Sequence, residues 1–228
     1  MSPAWSASDL LAVFAMWVVM MIAMMLPSAL PMILMHQRMA KKSKKAFENL
    51  SFTLSYLFIW VIFSIIAVIF QFTAQKVGFL DPASLKISTI ISIILLILAG
   101  VYQFTELKNT CLSKCRTPAG FFMGFWQSGV IGAFNMGIRH GLFCLGCCWA
   151  IMLLLFVGGV MNLTWVLLLT IAVIAEKTLP AGEFISRAIG VVLILAAAYM
   201  GYGLIYADNM QPMNGMMMEC MGSIKMDN

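Results

Sequence analysis

Long apolar runs separated by short polar segments dominate the pattern along the chain. The runs cover roughly residues 10–35, 51–73, 85–106, 141–161, 163–179 and 186–206. Each run is close to the roughly 20 residues that a helix needs to cross the hydrocarbon core of a bilayer. The pattern therefore predicts an all-α fold, a polytopic membrane helix bundle with about six spanning helices.

Residues 119–139 interrupt this pattern. The stretch holds Gln127, Ser128 and Asn135 among five glycines, so we predict one re-entrant or interfacial helical segment here. If it does not cross, the inner loops carry 11 lysines and arginines and the outer segments carry 3. An added crossing would give 8 against 6. Because cytoplasmic loops collect basic residues, we predict a bacterial-type inner membrane protein with its N and C termini outside.

Composition agrees with a membrane location. Hydrophobic residues make up 62% of the chain and charged residues 10%, against about 25% charged residues in soluble domains. The net charge of +5 comes from short loops rather than from a basic face with interleaved aromatic residues. We therefore expect the lipid bilayer as a partner and no nucleic acid.

The segment RHGLFCLGCCW, residues 139–149, is the strongest candidate for chemistry. At about 100° per residue, one helix stripe about 100° wide holds four soft ligands, which are His140, Cys144, Cys147 and Cys148. Imidazole and thiolate groups bind zinc or Cu(I). A second element must close such a site, and Cys111 and Cys115 of the preceding inner loop are candidates. Plain packing of small cysteines is the competing interpretation.

Methionines form a second candidate site in the first predicted span, where the metal ligands would be Met20, Met21, Met24 and Met25. Thioethers are soft, uncharged donors that suit transfer of Cu(I), although methionine is also an ordinary core filler. Pro27 and Pro31 are expected to kink or break the inner end of this helix and to free backbone carbonyls.

The chain divides into a transmembrane helical domain, residues 1–207, and a flexible methionine-rich tail, residues 208–228. Glycine, proline and asparagine in the tail argue against a stable helix. The soft donors predicted to bind metal there are Met216, Met217, Met218 and Cys220. Glu176, near the inner end of the fifth predicted span, needs a partner, and the adjacent Lys177 is the one we expect.

Several motifs together resemble an uncharacterised family of bacterial integral membrane proteins described as predicted metal-binding. They are MMIAMMLPSALPM, CLSKCRTP and HGLFCLGCCW, followed by GGVMNLTW and EK. The resemblance covers about residues 10–205 and implies a helical membrane fold and a bound metal, but no established reaction. It places the cysteine and histidine motif on Cys111, Cys115, His140, Cys144, Cys147 and Cys148, and the methionine and proline motif on residues 20–32.

Three functions remain open. The first is binding and handling of a soft metal, copper as Cu(I) before zinc, for transport or for delivery to a cuproprotein, with a cuproenzyme or metallochaperone as partner. The second is a membrane thiol-disulfide oxidoreductase that uses the Cys144/Cys147 C-x-x-C pair, which a reducing inner side disfavours. The third is a structural zinc-bound subunit of a membrane complex. We favour the first function, and therefore a protein that is not an enzyme.

Overall fold

The computed structural model describes residues 7–39, 45–79, 87–179 and 181–224. The side chains of residue 45 and of residues beyond 206 lie outside the described part. The helices are α1 (Ala7–Met39), α2 (Lys45–Lys76), α3 (Thr89–Tyr102), α4 (Glu106–Arg116), α5 (Pro118–Phe125), α6 (Val130–Leu153), α7 (Leu155–Gly158), α8 (Leu163–Thr178) and α9 (Gly182–Ile224). This confirms the predicted all-α fold.

Helix length and hydropathy are consistent with a membrane location. Among the described residues, four segments are long and apolar enough to cross a bilayer, which are Ala7–Met39, Ala46–Lys76, Val130–Gly158 and Gly182–Tyr206. The pair α3 and α4, bent by 66°, is a fifth candidate. Helix α8 has only 16 residues. The predicted count of about six spans is therefore not confirmed, and the type of membrane and the sides of the termini stay predictions.

Helix α6 begins at Val130 rather than near residue 141, because its glycines form a packing face and not a loop. A methyl group at Gly137 would overlap the side chain of Ser55 and the backbone of Phe52 in α2. Gly141 faces Ile59 of the same helix. Small residues let membrane helices approach closely. The predicted separate segment thus shrinks to the eight residues of α5, and whether α5 is re-entrant or interfacial stays a prediction.

Helix α1 continues through Pro27 and Pro31 without a break, and the alternative expectation of a kink there stays a prediction. Side chains near these prolines bond to the α1 backbone. The Met25 carbonyl oxygen accepts hydrogen bonds from Ser28 Oγ at 2.9 Å and from Tyr56 Oη at 3.2 Å. These hydrogen bonds do not replace the ones lost at the prolines, because the carbonyls left without a helical donor are those of Ala23 and Pro27, four residues before each proline.

Helix α9 carries the chain past residue 207 and ends at Ile224. Its backbone therefore enters the segment that the sequence predicted as a flexible tail. The side chains of Met216, Met217, Met218 and Cys220 lie outside the described part. Their metal-binding role and the domain boundary at residue 207 stay predictions.

Candidate metal centre

The predicted stripe of soft ligands in α6 faces the interior of the bundle. The side chain of His140 is 2% exposed, and those of Cys144, Cys147 and Cys148 are each 1% exposed. Helical periodicity alone placed these residues on one face, and burial of the whole face agrees with it. Cys144 lies at the midpoint of the candidate span Val130–Gly158, so it is not at a helix N-terminus.

Helix α4 supplies the opposite side. The buried thiol of Cys115 interacts with the thiols of Cys144 and Cys147. We call Cys115, Cys144, Cys147 and Cys148 the thiol cluster. Cys111 is half-buried, and its sulfur packs against Gly146 of α6, 2.9 Å from where a methyl group would sit. The two cysteines predicted in a loop thus lie on a helix, and that helix packs against the predicted face.

The hydrogen bonds within the thiol cluster distinguish Cys144 from its neighbours. Its sulfur accepts a hydrogen bond from Lys177 Nζ at 2.9 Å and lies 3.2 Å from Tyr56 Oη. The sulfurs of Cys147 and Cys148 instead donate to the backbone carbonyl of Cys144, at 3.1 and 2.8 Å. Cys144 is therefore the sulfur that faces a lysine in this arrangement, while the sulfurs of Cys147 and Cys148 face a backbone carbonyl.

Lys177 does not pair with Glu176 as the sequence predicted. The Glu176 carboxylate accepts two hydrogen bonds from Lys108 Nζ of α4, at 2.9 and 3.0 Å. Consecutive residues on a helix point about 100° apart, so Lys177 faces α6 and α1 and also reaches Ser28 Oγ at 3.3 Å. No local pattern identifies Lys177 as a site residue, because Cys144 lies 33 positions away along the chain.

His140 lies beside the thiol cluster inside an aromatic cage. Its ring centroid is 5.3 Å from that of Tyr56, 5.7 Å from that of Phe121 and 6.1 Å from that of Phe52. Its Nδ1 atom is buried and has no hydrogen-bond partner within the described ranges. A buried polar atom without a partner is costly and needs an explanation. An imidazole nitrogen kept free next to thiols is suited to a soft metal.

No group of three His, Cys, Asp or Glu side chains among the described residues is arranged to hold a metal ion. A structural zinc site usually has four ligands, so this part of the chain offers no preformed zinc cage. All five described cysteines are free thiols. The arrangement instead offers a thiol of α6 facing a thiol of α4, with a lysine beside them.

The predicted methionines of α1 divide between two environments. Met21 and Met25 are 0% exposed and Met24 is 2% exposed, and all three belong to the core. Met20 and Met24 line a groove of about 740 Å³ between α1 and α8, together with Met16 and Met161, which the metal-site prediction did not include. The groove thus has four methionines in its lining, of which Met24 is buried.

The comparisons with known proteins bear on the metal. A family model described as PpoB2, a copper chaperone, matches residues 14–200. The matched range contains the thiol cluster, Lys177 and the methionine-lined groove. No curated protein and no solved structure matches the chain.

Proposed function

The chain belongs to the PpoB2 copper chaperone family, and from this premise we propose that it holds Cu(I) between Cys144 and Cys115 for delivery to a cuproprotein. One observation carries this proposal. The buried Cys144 sulfur accepts a hydrogen bond from a lysine and faces a second buried thiol on another helix. Two thiols from different helices can approach an ion from opposite sides, which neighbouring residues of a single helix cannot do.

The donor set favours Cu(I) over zinc. Thiolates and thioethers are soft ligands that select Cu(I), whereas structural zinc usually takes four ligands in a tetrahedron. Since the described residues hold no group of three suitable side chains, a thiolate pair is the arrangement that fits them best. Further donors lie close by: Cys147 and Cys148 belong to the same thiol cluster, and His140, on the same face of α6, has an Nδ1 without a partner among the described residues.

The methionines of α1 supply thioethers, which are weaker donors than thiolates, near the proposed site. The groove lined by Met16, Met20, Met24 and Met161 opens between α1 and α8. The α1 core next to it is linked to Cys144 through Tyr56, whose hydroxyl reaches the Met25 carbonyl as well as the Cys144 sulfur. We infer that thioethers hold the ion loosely here before the thiols bind it. Capture by Met216, Met217, Met218 and Cys220 is part of the same proposal and rests on composition.

Disulfide chemistry at Cys144 and Cys147 finds less support. Cys144 lies 14 residues after Val130, so the C-x-x-C pair is not at a helix start. The Lys177 contact is compatible with thiol exchange as well as with metal binding. Its sulfur bonds to Lys177 and Tyr56, and the Cys147 sulfur bonds to a backbone carbonyl. We therefore retain metal binding as the proposed function.

Titration of the purified protein with Cu(I), under reducing conditions and against a chromophoric competitor, tests the proposal. We expect Cys144→Ser and Cys115→Ser each to weaken Cu(I) binding by about 100-fold, which corresponds to roughly 2.7 kcal/mol. Cys111→Ser is the matched control, because Cys111 lies on the same helix as Cys115 but packs against Gly146. Wild-type affinity in folded Cys144→Ser protein would refute the proposed site.

A further inference from the structure

Lys177 places a buried positive charge beside the proposed ligands. Its side chain belongs to a residue only 8% exposed, and Nζ lies 2.9 Å from Cys144 Sγ and 3.3 Å from Ser28 Oγ. Tyr56, which also contacts Cys144, is a neutral hydroxyl. The nearest carboxylate in sequence, Glu176, is occupied by Lys108. Lys177 therefore has the sulfur of Cys144 as its counter-charge.

The charge of a metal complex at this place depends on that lysine. The thiolate form of cysteine is the one that binds metal, so binding to two cysteines gives two negative charges, and the proton of Cys115 leaves to solvent or to a base. When Cu(I) binds, the charges of the two thiolates, the ion and the lysine ammonium group add up to zero. With a divalent ion such as Zn²⁺, the total is +1. An uncompensated charge in a buried, low-dielectric site is strongly unfavourable.

We propose that Lys177 makes the site selective for monovalent soft cations, Cu(I) and Ag(I), over divalent ions. This inference rests on the proposed function, because it takes Cys144 and Cys115 as the ligands. It assigns Lys177 a role in specificity without placing it in contact with the ion. Zinc is thus disfavoured by charge as well as by the small number of ligands.

The test compares affinities for Cu(I) and Zn²⁺ in the full-length protein. We expect Lys177→Met, which keeps an apolar stem and removes the charge, to lower the ratio of Cu(I) affinity to Zn²⁺ affinity by about 30-fold. Lys177→Arg keeps the charge and should retain the ratio to within about threefold. The double variant Lys108→Met with Glu176→Leu is the matched control, since it removes the other buried ion pair without changing the net charge and should leave the ratio unchanged.

A second pair of variants covers the case in which Lys177→Met does not fold. Ser28→Asp adds a carboxylate beside Lys177 and should shift the ratio toward Zn²⁺, whereas Ser28→Asn should leave it unchanged. An unchanged ratio in folded Lys177→Met, or in folded Ser28→Asp, overturns the charge-selection inference while Cu(I) binding by wild type preserves the proposed function. Failure of wild type to bind Cu(I) overturns both.

Discussion

Lys108 and Lys177 are both buried in this bundle, but they face different kinds of partner. Lys108 is 0% exposed and donates to both oxygens of the Glu176 carboxylate. Lys177 donates to a sulfur and lies near a hydroxyl. A carboxylate balances its lysine permanently, so that pair is complete within the protein. A thiolate can also bind a metal ion, so the balance around Lys177 changes when an ion arrives. The pair of Lys108 and Glu176 is therefore structural, whereas the pair of Lys177 and Cys144 is suited to binding a metal ion.

Loss of the Lys108 charge should produce the largest change in stability. Lys108→Met leaves the Glu176 carboxylate buried without its counter-charge, which costs about 3–5 kcal/mol. We expect a lower midpoint of thermal unfolding in detergent. The double variant Lys108→Met with Glu176→Leu removes both charges and should recover much of that loss.

The outcome for copper decides whether the two lysines really differ. If the folded double variant loses Cu(I) affinity as strongly as Lys177→Met does, then both lysines act through the stability of the bundle. The distinction between a structural pair and a binding pair would then be wrong. Equal Cu(I) affinity in the double variant and wild type would support the distinction.

A methyl group at the contact between α2 and α6 tests how far the position of Cys144, which Lys177 contacts, depends on the packing of these two helices. Gly137→Ala places a carbon against the backbone of Phe52 and the hydroxyl of Ser55, so α2 and α6 must move apart. Overpacking of this kind costs about 1–3 kcal/mol. Since Tyr56 of α2 contacts Cys144 of α6, we expect weaker Cu(I) binding together with a lower unfolding midpoint.

Gly203→Ala is the control for that substitution, because nothing lies within 4 Å of a methyl group there. Alanine at this exposed position should leave the unfolding midpoint unchanged or raise it slightly. If Gly137→Ala lowers stability but leaves Cu(I) affinity unaltered, then the contact between α2 and α6 does not position the thiol cluster. The contrast between the two lysines would then rest on Lys177 and Cys144 alone.

Helical periodicity was sufficient to predict the part of the site that lies on one helix. His140 and Cys144 share the buried face of α6 because side chains four positions apart on a helix are neighbours. The partner helix was also predictable in outline, since Cys115 was expected to close the site and its thiol does face Cys144. Whether these residues bind metal remains a prediction.

Contacts between distant helices could not be predicted in the same way. Lys177 and Cys144 meet across the bundle, so adjacency in sequence led to the wrong partner for Lys177. The start of α6 was misplaced because Gly132, Asn135 and Gly137 are typical of loops when taken alone. In the structure Gly137 is a point of close approach to α2, and only the neighbouring helix reveals this.

Loss of the Tyr56 hydroxyl should have the smallest effect of the three substitutions, after Lys108→Met and Gly137→Ala. It should act at the pair formed by Lys177 and Cys144 and leave the pair formed by Lys108 and Glu176 unchanged. It lies 3.2 Å from Cys144 Sγ and 3.2 Å from the Met25 carbonyl. Tyr56→Phe removes one buried hydrogen-bonding group, which is worth about 1 kcal/mol, or about fivefold in affinity. We expect Cu(I) binding to weaken by that factor in the competitor titration, while Tyr199→Phe on the exposed face of α9 leaves it unchanged. Lower stability with unchanged Cu(I) affinity would mean that the hydroxyl serves the Met25 carbonyl, and Lys177 would then be the group that sets the charge on Cys144 without help from α2.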